Sequence, residues 1–468
     1  MATGDGNAAA AGRSGPSQGE LPAARLELRS FDGGVRERCV VVRPDRYRDL
    51  ERLPDATPRI VRGGGFSYAA ASFGAGAVVH DFRRFDRILA FDPALGRLRC
   101  EAGATLGKVF ATVIGGGWYL PTQPGHPDLT IGGCLAADAH GKNPSQEGTF
   151  RRQVLGLTLF HPRSGSVAVG PEERSELFDL TCGGYGLTGH VIDVTLQLRR
   201  APAACEVRRL PAADFLHTVE LLEEWEGRAA LLYSWNDLTA RGAAFGRGFV
   251  SVGTAVDGPA GADGAAKAAA DAVASGRYDR LPAHASTAVP FWNRWSTGAF
   301  NRVYRRAMGF GGPRRLPLFE VLFPIATKAT YFKLFGRGGL LEYQVLVPRA
   351  TFSDFTRELE RGLRRFAVAP TLGSCKLFAG EGGGLRFDGR GVALAIDLPR
   401  RQATPQLLAL LDGLTIDAGA IPNAIKDSRL PAAVVARCYP GYEDFRRRLR
   451  AHDPDRIYRS ELSQRLAL

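Results

Sequence analysis

The chain has 468 residues, 45% of them hydrophobic, and a formal net charge of +13. That length exceeds one typical core, so two domains are the default, and the hydrophobic share is that of a globular protein. The basic balance favours phosphate-bearing ligands or an anionic membrane surface. The 61 Lys and Arg are spread along the whole chain, with no sustained basic helix and no nucleic-acid motif, so nucleic acid is not an expected partner.

Residues 1–20 have no basic start followed by an apolar core, and 1–23 read as a disordered tail rather than a signal peptide. No run of about 18 apolar residues occurs, so no membrane-spanning helix is expected. The seven cysteines are odd in number, well separated and free of CxxC pairs. That argues against a disulfide framework and a zinc site, predicts no bound metal, and fits a reducing cytoplasm.

From 24 to 200 the pattern is short strands and turns with few helices. Val78–Asp81, Ile88–Phe91 and Leu98–Ala102 read as strands, with Asp92-Pro93 and Gly96 as turn signals. Thr105–Val113 carries apolar residues at helical spacing, with Thr105 as N-cap. Three glycine-rich segments interrupt this layout. In IVRGGGFSY (60–68) an apolar lead-in runs into Gly63, Gly64 and Gly65, whose N–H groups could form a nest for a pyrophosphate. No Gly-Lys-Ser/Thr follows, so it is not a P-loop. In PTQPGHPDLTIGGCLAADAHGKN (121–143), Gly132 and Gly133 with small neighbours predict a turn that lets backbone approach a flat ligand. His140 and Lys142 add two donors, although a tight turn with a solvated lysine would look the same. In 177–198, Gly184, Gly186 and Gly189 formally match the dinucleotide fingerprint, but the residues after them alternate like a strand where that motif needs a helix. NAD binding is therefore disfavoured.

Arg199–Ala204 reads as a joint, and a second composition follows. Asp214–Glu226 predicts an amphipathic helix and 231–235 a strand. Residues 254–287 are Ala/Gly-rich and predict a mobile or inserted loop. Tyr343–Pro348, Lys376–Phe378 and Val392–Leu398 read as strands, and Phe352–Phe366 as a helix. Lys426, next to Asp427, reads on its own as a surface ion pair.

Taken in order, RGGGFSY (62–68), TIGGCLAADAHGKN (130–143), LFDLTCGGYGLTG (177–189), LEYQVLVP (341–348), CKLF (375–378) and IKDSRL (425–430) resemble the FAD-linked oxidases of the vanillyl-alcohol-oxidase type, and within them a sugar-oxidising branch. The resemblance spans roughly residues 55–468. It implies an α+β fold: a two-subdomain PCMH-type FAD-binding domain (24–200), an α+β substrate domain on an antiparallel sheet (201–417), and a return to the FAD domain over 418–468. It implies FAD held by Arg62, Gly63, Gly64, Gly65, Phe66, Ser67, Gly125, His126 and Thr130. To these it adds Gly132, Gly133, Ala137, His140, Gly141, Asn143, Gly184, Gly189 and Val191. Lys426 matches the lysine beside the substrate hydroxyl, with His140 and Tyr68 as its catalytic companions. Lys142, Glu342, Gln344, Lys376, Ala395 and Asn423 fall on the substrate side.

Phe66 stands where some members carry a flavin-tethering histidine, and His126 where others carry a tethering cysteine, so FAD is expected to be non-covalent. Ala395, Asn423 and Glu342 replace a cysteine, a tyrosine and a glutamine of the sugar-oxidising branch. The implied reaction is oxidation of a secondary sugar hydroxyl to a ketone by hydride transfer to flavin N5. The implied partners are a sugar or glycolipid substrate and a separate reductase that completes an epimerisation. A peripheral membrane contact is compatible with the charge. A flavin oxidase for a diffusible sugar, nucleoside or polyol remains open, as does a flavin-binding protein without turnover.

Overall fold

The computed structural model describes residues 21–51, 56–256, 290–309 and 311–468, with 271, 273, 276, 278, 279 and 281 between them. Three sheets and one two-stranded ribbon organise these residues. The first sheet contains β1 (Ala23–Arg29), β2 (Arg36–Val42), β3 (Arg59–Arg62) and β4 (Val78–Asp81) in the order β1-β2-β4-β3. Strands β1 and β2 pair antiparallel, while β2, β4 and β3 are parallel neighbours. The RGGG loop leaves the carboxyl end of β3, the usual place for a ligand in a parallel arrangement.

The second sheet is antiparallel. It takes β5 (Ile88–Asp92), β6 (Arg97–Glu101), β8 (Val154–His161), β9 (Gly165–Val169) and β10 (His190–Gln197) in the order β5-β6-β10-β8-β9. The ribbon of β7 (Trp118–Tyr119) and β11 (Arg199–Arg200) marks where the chain leaves for the third sheet.

That third sheet has eight antiparallel strands: β12 (Ala204–Ala212), β13 (Leu231–Asn236), β14 (Gly248–Val256), β15 (Arg314–Leu316), β16 (Leu340–Val347), β17 (Leu372–Ala379), β18 (Arg390–Pro399) and β19 (Ile421–Pro422). Their order is β15-β12-β14-β13-β17-β18-β16-β19. The period of two decides its two faces. Leu341, Tyr343, Val345, Cys375, Leu377, Leu394 and Ile396 point one way and pack under the helices Phe215–Trp225, Phe352–Arg365 and Thr404–Asp417. Glu342, Gln344, Lys376, Ala395 and Asp397 alternate with them and share the opposite face.

This is the expected α+β architecture. The helix Leu106–Val113 begins at Thr105, whose side chain accepts the Lys108 N–H at 3.1 Å. One expectation fails locally. Gly132 and Gly133 lie not in a turn but in the helix Ile131–Ala136, capped by Thr130, which accepts the Gly133 N–H at 3.3 Å. Glycine costs about 1 kcal/mol in a helix relative to alanine; the cap and the packing of Ile131, Cys134 and Leu135 into the core offset it. Residues 254–256 close β14, and nearly all the rest of the expected 254–287 loop lies outside the described residues, as do residues 1–20 of the expected tail.

The last segment comes back to the first sheet. Ile457 accepts the Arg59 N–H at 2.7 Å, and Val435, Phe445 and Leu462 share a core with Ile60 and Val79. All seven cysteines are free thiols. Among the described residues there is no helix long and apolar enough to cross a membrane, and no group of three or more His, Cys, Asp or Glu placed to hold a metal.

Candidate active site

A cleft with about 1180 Å³ of empty space, counted with its open mouth, runs between the first two sheets. All three glycine-rich segments wall it: Gly63, Gly64, Gly65, Phe66, Ser67 and Tyr68 from the first, Thr130, Gly132, Gly133 and Ala137 from the second, Gly186, Gly189 and Val191 from the third. Such a slot suits a flat, dinucleotide-sized ligand. At Gly63 an added Cβ would meet Thr130 Oγ1 at 2.2 Å, and Gly189 has φ +143° with Phe160 O 2.5 Å from an added Cβ. Both positions require glycine to bring the walls this close. The lining is largely apolar or backbone, so ring stacking and N–H donation are what it offers a cofactor. These observations fit FAD.

Several expected cofactor residues sit elsewhere. Arg62 is not in the cleft wall itself; it donates to the lining residue Ser72 Oγ at 2.8 Å and lies over Phe73. Gly184 is replaced at the cleft wall by Gly186, because its own Cβ position faces Leu180 O at 2.1 Å. Asn143 is buried and donates to Ala229 O at 2.6 Å. Gly141 packs against Gln123, and Gly125 lies between Ile325 and Lys142. His126 is fully buried beside Phe66, with Nε2 3.0 Å from Asp279 O and Nδ1 accepting the Asp128 N–H at 3.2 Å. Both of its nitrogens are therefore engaged.

Ile425 and Lys426 close one end of the cleft and join it to the polar face of the third sheet. Lys426 does not pair with Asp427, which takes Arg429 instead. Its Nζ reaches Glu342 Oε2 at 3.1 Å and stands 4.1 Å from the centre of the Tyr68 ring. Tyr68 also hydrogen-bonds Glu342, and burial first, then Glu342 and Asp397, hold its phenol well above its ordinary value.

A second chain of contacts orients His140. The Ile425 N–H donates to Asn423 Oδ1 at 3.3 Å, and Asn423 Nδ2 donates to Gln344 Oε1 at 2.8 Å. That leaves Gln344 Nε2 as donor to His140 Nε2, 3.1 Å away. The imidazole proton is thus assigned to Nδ1, which faces Gly141 O at 3.2 Å and Lys376 Nζ at 3.3 Å. Burial, then the charge on Lys376, keep His140 far below its usual value, so it is neutral. Burial and the neighbouring lysines likewise depress Lys376, whose Nζ donates to Gly141 O at 2.9 Å. Lys142 is pushed down to about 8 by burial and by Lys426.

Two residues that the sequence did not single out complete the site. Asp397 pairs across the strands with Glu342, as Ala395 does with Gln344. Its carboxyl is 4% exposed and is raised to about 7 by burial and by Glu342. Tyr331 donates to Asp397 Oδ2 at 2.8 Å and contacts Thr371 Oγ1 at 2.6 Å. The signal for Asp397 was present: a lone carboxylate in the apolar run VALAIDLP needs a partner when buried.

A family model described as "FAD binding domain" matches residues 41–169. The chain is 32% identical over 387 residues to an uncharacterised protein in the mprA 5′ region of Streptomyces coelicolor, covering 78% of this chain and 100% of that one. It is 25% identical over 425 residues to decaprenylphosphoryl-beta-D-ribose oxidase of Mycolicibacterium smegmatis, covering 87% of this chain and 89% of that one. Similarity to the mitochondrial L-galactono-1,4-lactone dehydrogenase of Brassica oleracea, 28% over 159 residues, covers 33% of this chain and 26% of that one. With its glycine-walled cleft and these relatives, the chain belongs to the family of FAD-linked oxidases that share the PCMH-type FAD-binding domain.

Proposed function

We propose that the protein oxidises a secondary hydroxyl of a sugar to a ketone, as the first half of an epimerisation that a separate reductase completes. The observation that carries this reading is the position of Lys426. It lines the cofactor cleft and at the same time faces Glu342, Gln344 and Asp397 on the polar face of the third sheet. Bound FAD supplies the hydride acceptor. Lys426 takes the proton of the substrate hydroxyl as it passes one of its own to the Glu342 carboxylate 3.1 Å away. His140, fixed in one tautomer by Gln344 and Asn423, orients the sugar, while Lys142 offers positive charge and Lys376 a hydrogen-bond donor to an anionic group. Residues 24–200 with 418–468 form the cofactor part and 201–417 the substrate part. Phe66 and the doubly engaged His126 support non-covalent FAD.

A prenyl-phosphate-linked sugar is the lead substrate class, by similarity to the oxidase of Mycolicibacterium smegmatis. Free cysteines agree with a cytoplasmic setting. One observation favours a second reading, in which the substrate is a diffusible neutral or cationic sugar, nucleoside or polyol: Glu342 and Asp397 place two carboxyls on the substrate side, where a phosphate would be repelled. Anaerobic bleaching of the flavin by a panel of free sugars, nucleosides, polyols and prenyl-phosphate sugars separates the readings. Bleaching by no ring secondary alcohol in the panel would overturn both.

A further inference from the structure

The helix Arg294–Gly309 is built inside out. Its residues toward the protein include the fully buried Thr297 and Asn301, and Asn301 Nδ2 donates to Asp237 Oδ1 at 2.9 Å. Its outer face, at helical spacing, is Trp295, Ala299, Arg302, Val303 and Arg306. Trp295 is 75% exposed and Val303 67%, and Phe291 and Phe300 flank them in the open. The Arg294 guanidinium lies over the Trp295 ring.

A soluble helix normally turns such residues inward, and a Trp this exposed leaves most of its apolar surface in water. The surrounding charge is one-sided. Residues 280–319 contain seven arginines and no acidic residue, and Arg294, Arg302, Arg306, Arg314 and Arg315 are all exposed. The even spread of basic residues expected from the sequence therefore breaks down here.

We propose that this face docks on an anionic lipid surface. Aromatic and aliphatic side chains on the outer face of a basic helix suit the boundary between headgroups and acyl chains. A second copy of the chain would instead bring two sets of arginines together. The placement also has a use. Phe291 leads into Trp292, which is buried against Tyr331 with ring centres 5.6 Å apart, and Tyr331 holds Asp397 on the substrate side. The docking face is thus joined to the polar sheet face through two side chains, Trp292 and Tyr331. The inference deepens the glycolipid reading of the function, but its test needs no turnover.

The experiment is co-sedimentation of the FAD-loaded full chain with phosphatidylcholine vesicles and with mixed phosphatidylcholine–phosphatidylglycerol vesicles. The expected result is binding to the anionic vesicles only, weakened by salt. Both Trp295→Ser/Val303→Ser and Arg302→Glu/Arg306→Glu should lower the partition coefficient at least about tenfold with flavin content unchanged. Arg447→Glu/Arg450→Glu, on the helix Tyr442–His452 that packs into the core of the first sheet, should leave it unaltered. Absence of binding to anionic vesicles, or binding by either patch variant equal to that of the wild type, overturns the proposal. A dimer in lipid-free solution that the Trp295→Ser/Val303→Ser variant abolishes also overturns it and assigns the face to a second copy.

Discussion

Asp397→Asn keeps the shape of a buried side chain and removes its ionisation. Burial and the facing Glu342 raise the Asp397 carboxyl from 3.8 to about 7. The native protein therefore holds this proton more tightly than the unfolded chain does. The stability so contributed is complete below about pH 4, falls as pH rises, and is gone above about pH 7. About three pKa units at ~1.4 kcal/mol each give roughly 4 kcal/mol, with little solvent to screen a group that is 4% exposed. The asparagine variant lacks that slope. About 1 kcal/mol of it is already lost at pH 4.5, so at about 2 °C per kcal/mol its Tm relative to the wild type should climb by up to roughly 6 °C between pH 4.5 and 8.5. Differential scanning fluorimetry of the FAD-loaded proteins across that range is the assay. Parallel Tm curves for the two proteins would refute the reasoning.

Lys426→Ala should keep its flavin and its fold but slow anaerobic flavin reduction at least about 10²-fold, the usual size of a general-base contribution; an unchanged rate rules out the base role. Gly133→Leu places a side chain in the cleft from a capped helix, so the protein should purify colourless with a native circular dichroism spectrum, and full flavin content would show that the cleft is not the cofactor site. Acid precipitation of the wild type should leave all the flavin in the supernatant; flavin in the pellet would point to a covalent link. Glu342→Gln removes the carboxylate facing Lys426, so it should raise turnover of a phosphorylated sugar and lower that of an amino sugar. Unaltered kinetics on every reducing substrate would show that Glu342 does not meet the substrate.

The local architecture was legible wherever one physical period dominates. The alternation around Tyr343 and Ile396 shows two-faced strands, and Thr105 before an apolar 3.6-residue pattern shows a capped helix. The Gly132–Gly133 helix was not legible, because two glycines argue against a helix and only the packing around them overrides that preference. The polar contacts of Lys426 were hidden for another reason. Asp427 is adjacent in sequence, yet Glu342 becomes the partner through the pairing of distant strands. Tyr331 lies in a segment with no clear period, and its role depends on where Asp397 is buried. The Arg294–Gly309 helix was overlooked because whole-chain charge averages away a local concentration.

The return of the C-terminal segment to the first sheet has a consequence for biosynthesis. Strand β3 forms early in the growing chain, but the backbone that pairs with Arg59, the lysine that closes the cleft, and much of the core around Ile60 emerge long after it. Until then a nascent chain exposes an edge and an apolar surface that only those later residues can cover, and contacts of such high sequence separation form slowly. Stop codons or frameshifts that remove residues 418–468 should therefore yield insoluble, cofactor-free product, and chaperone demand should last until that segment has been made.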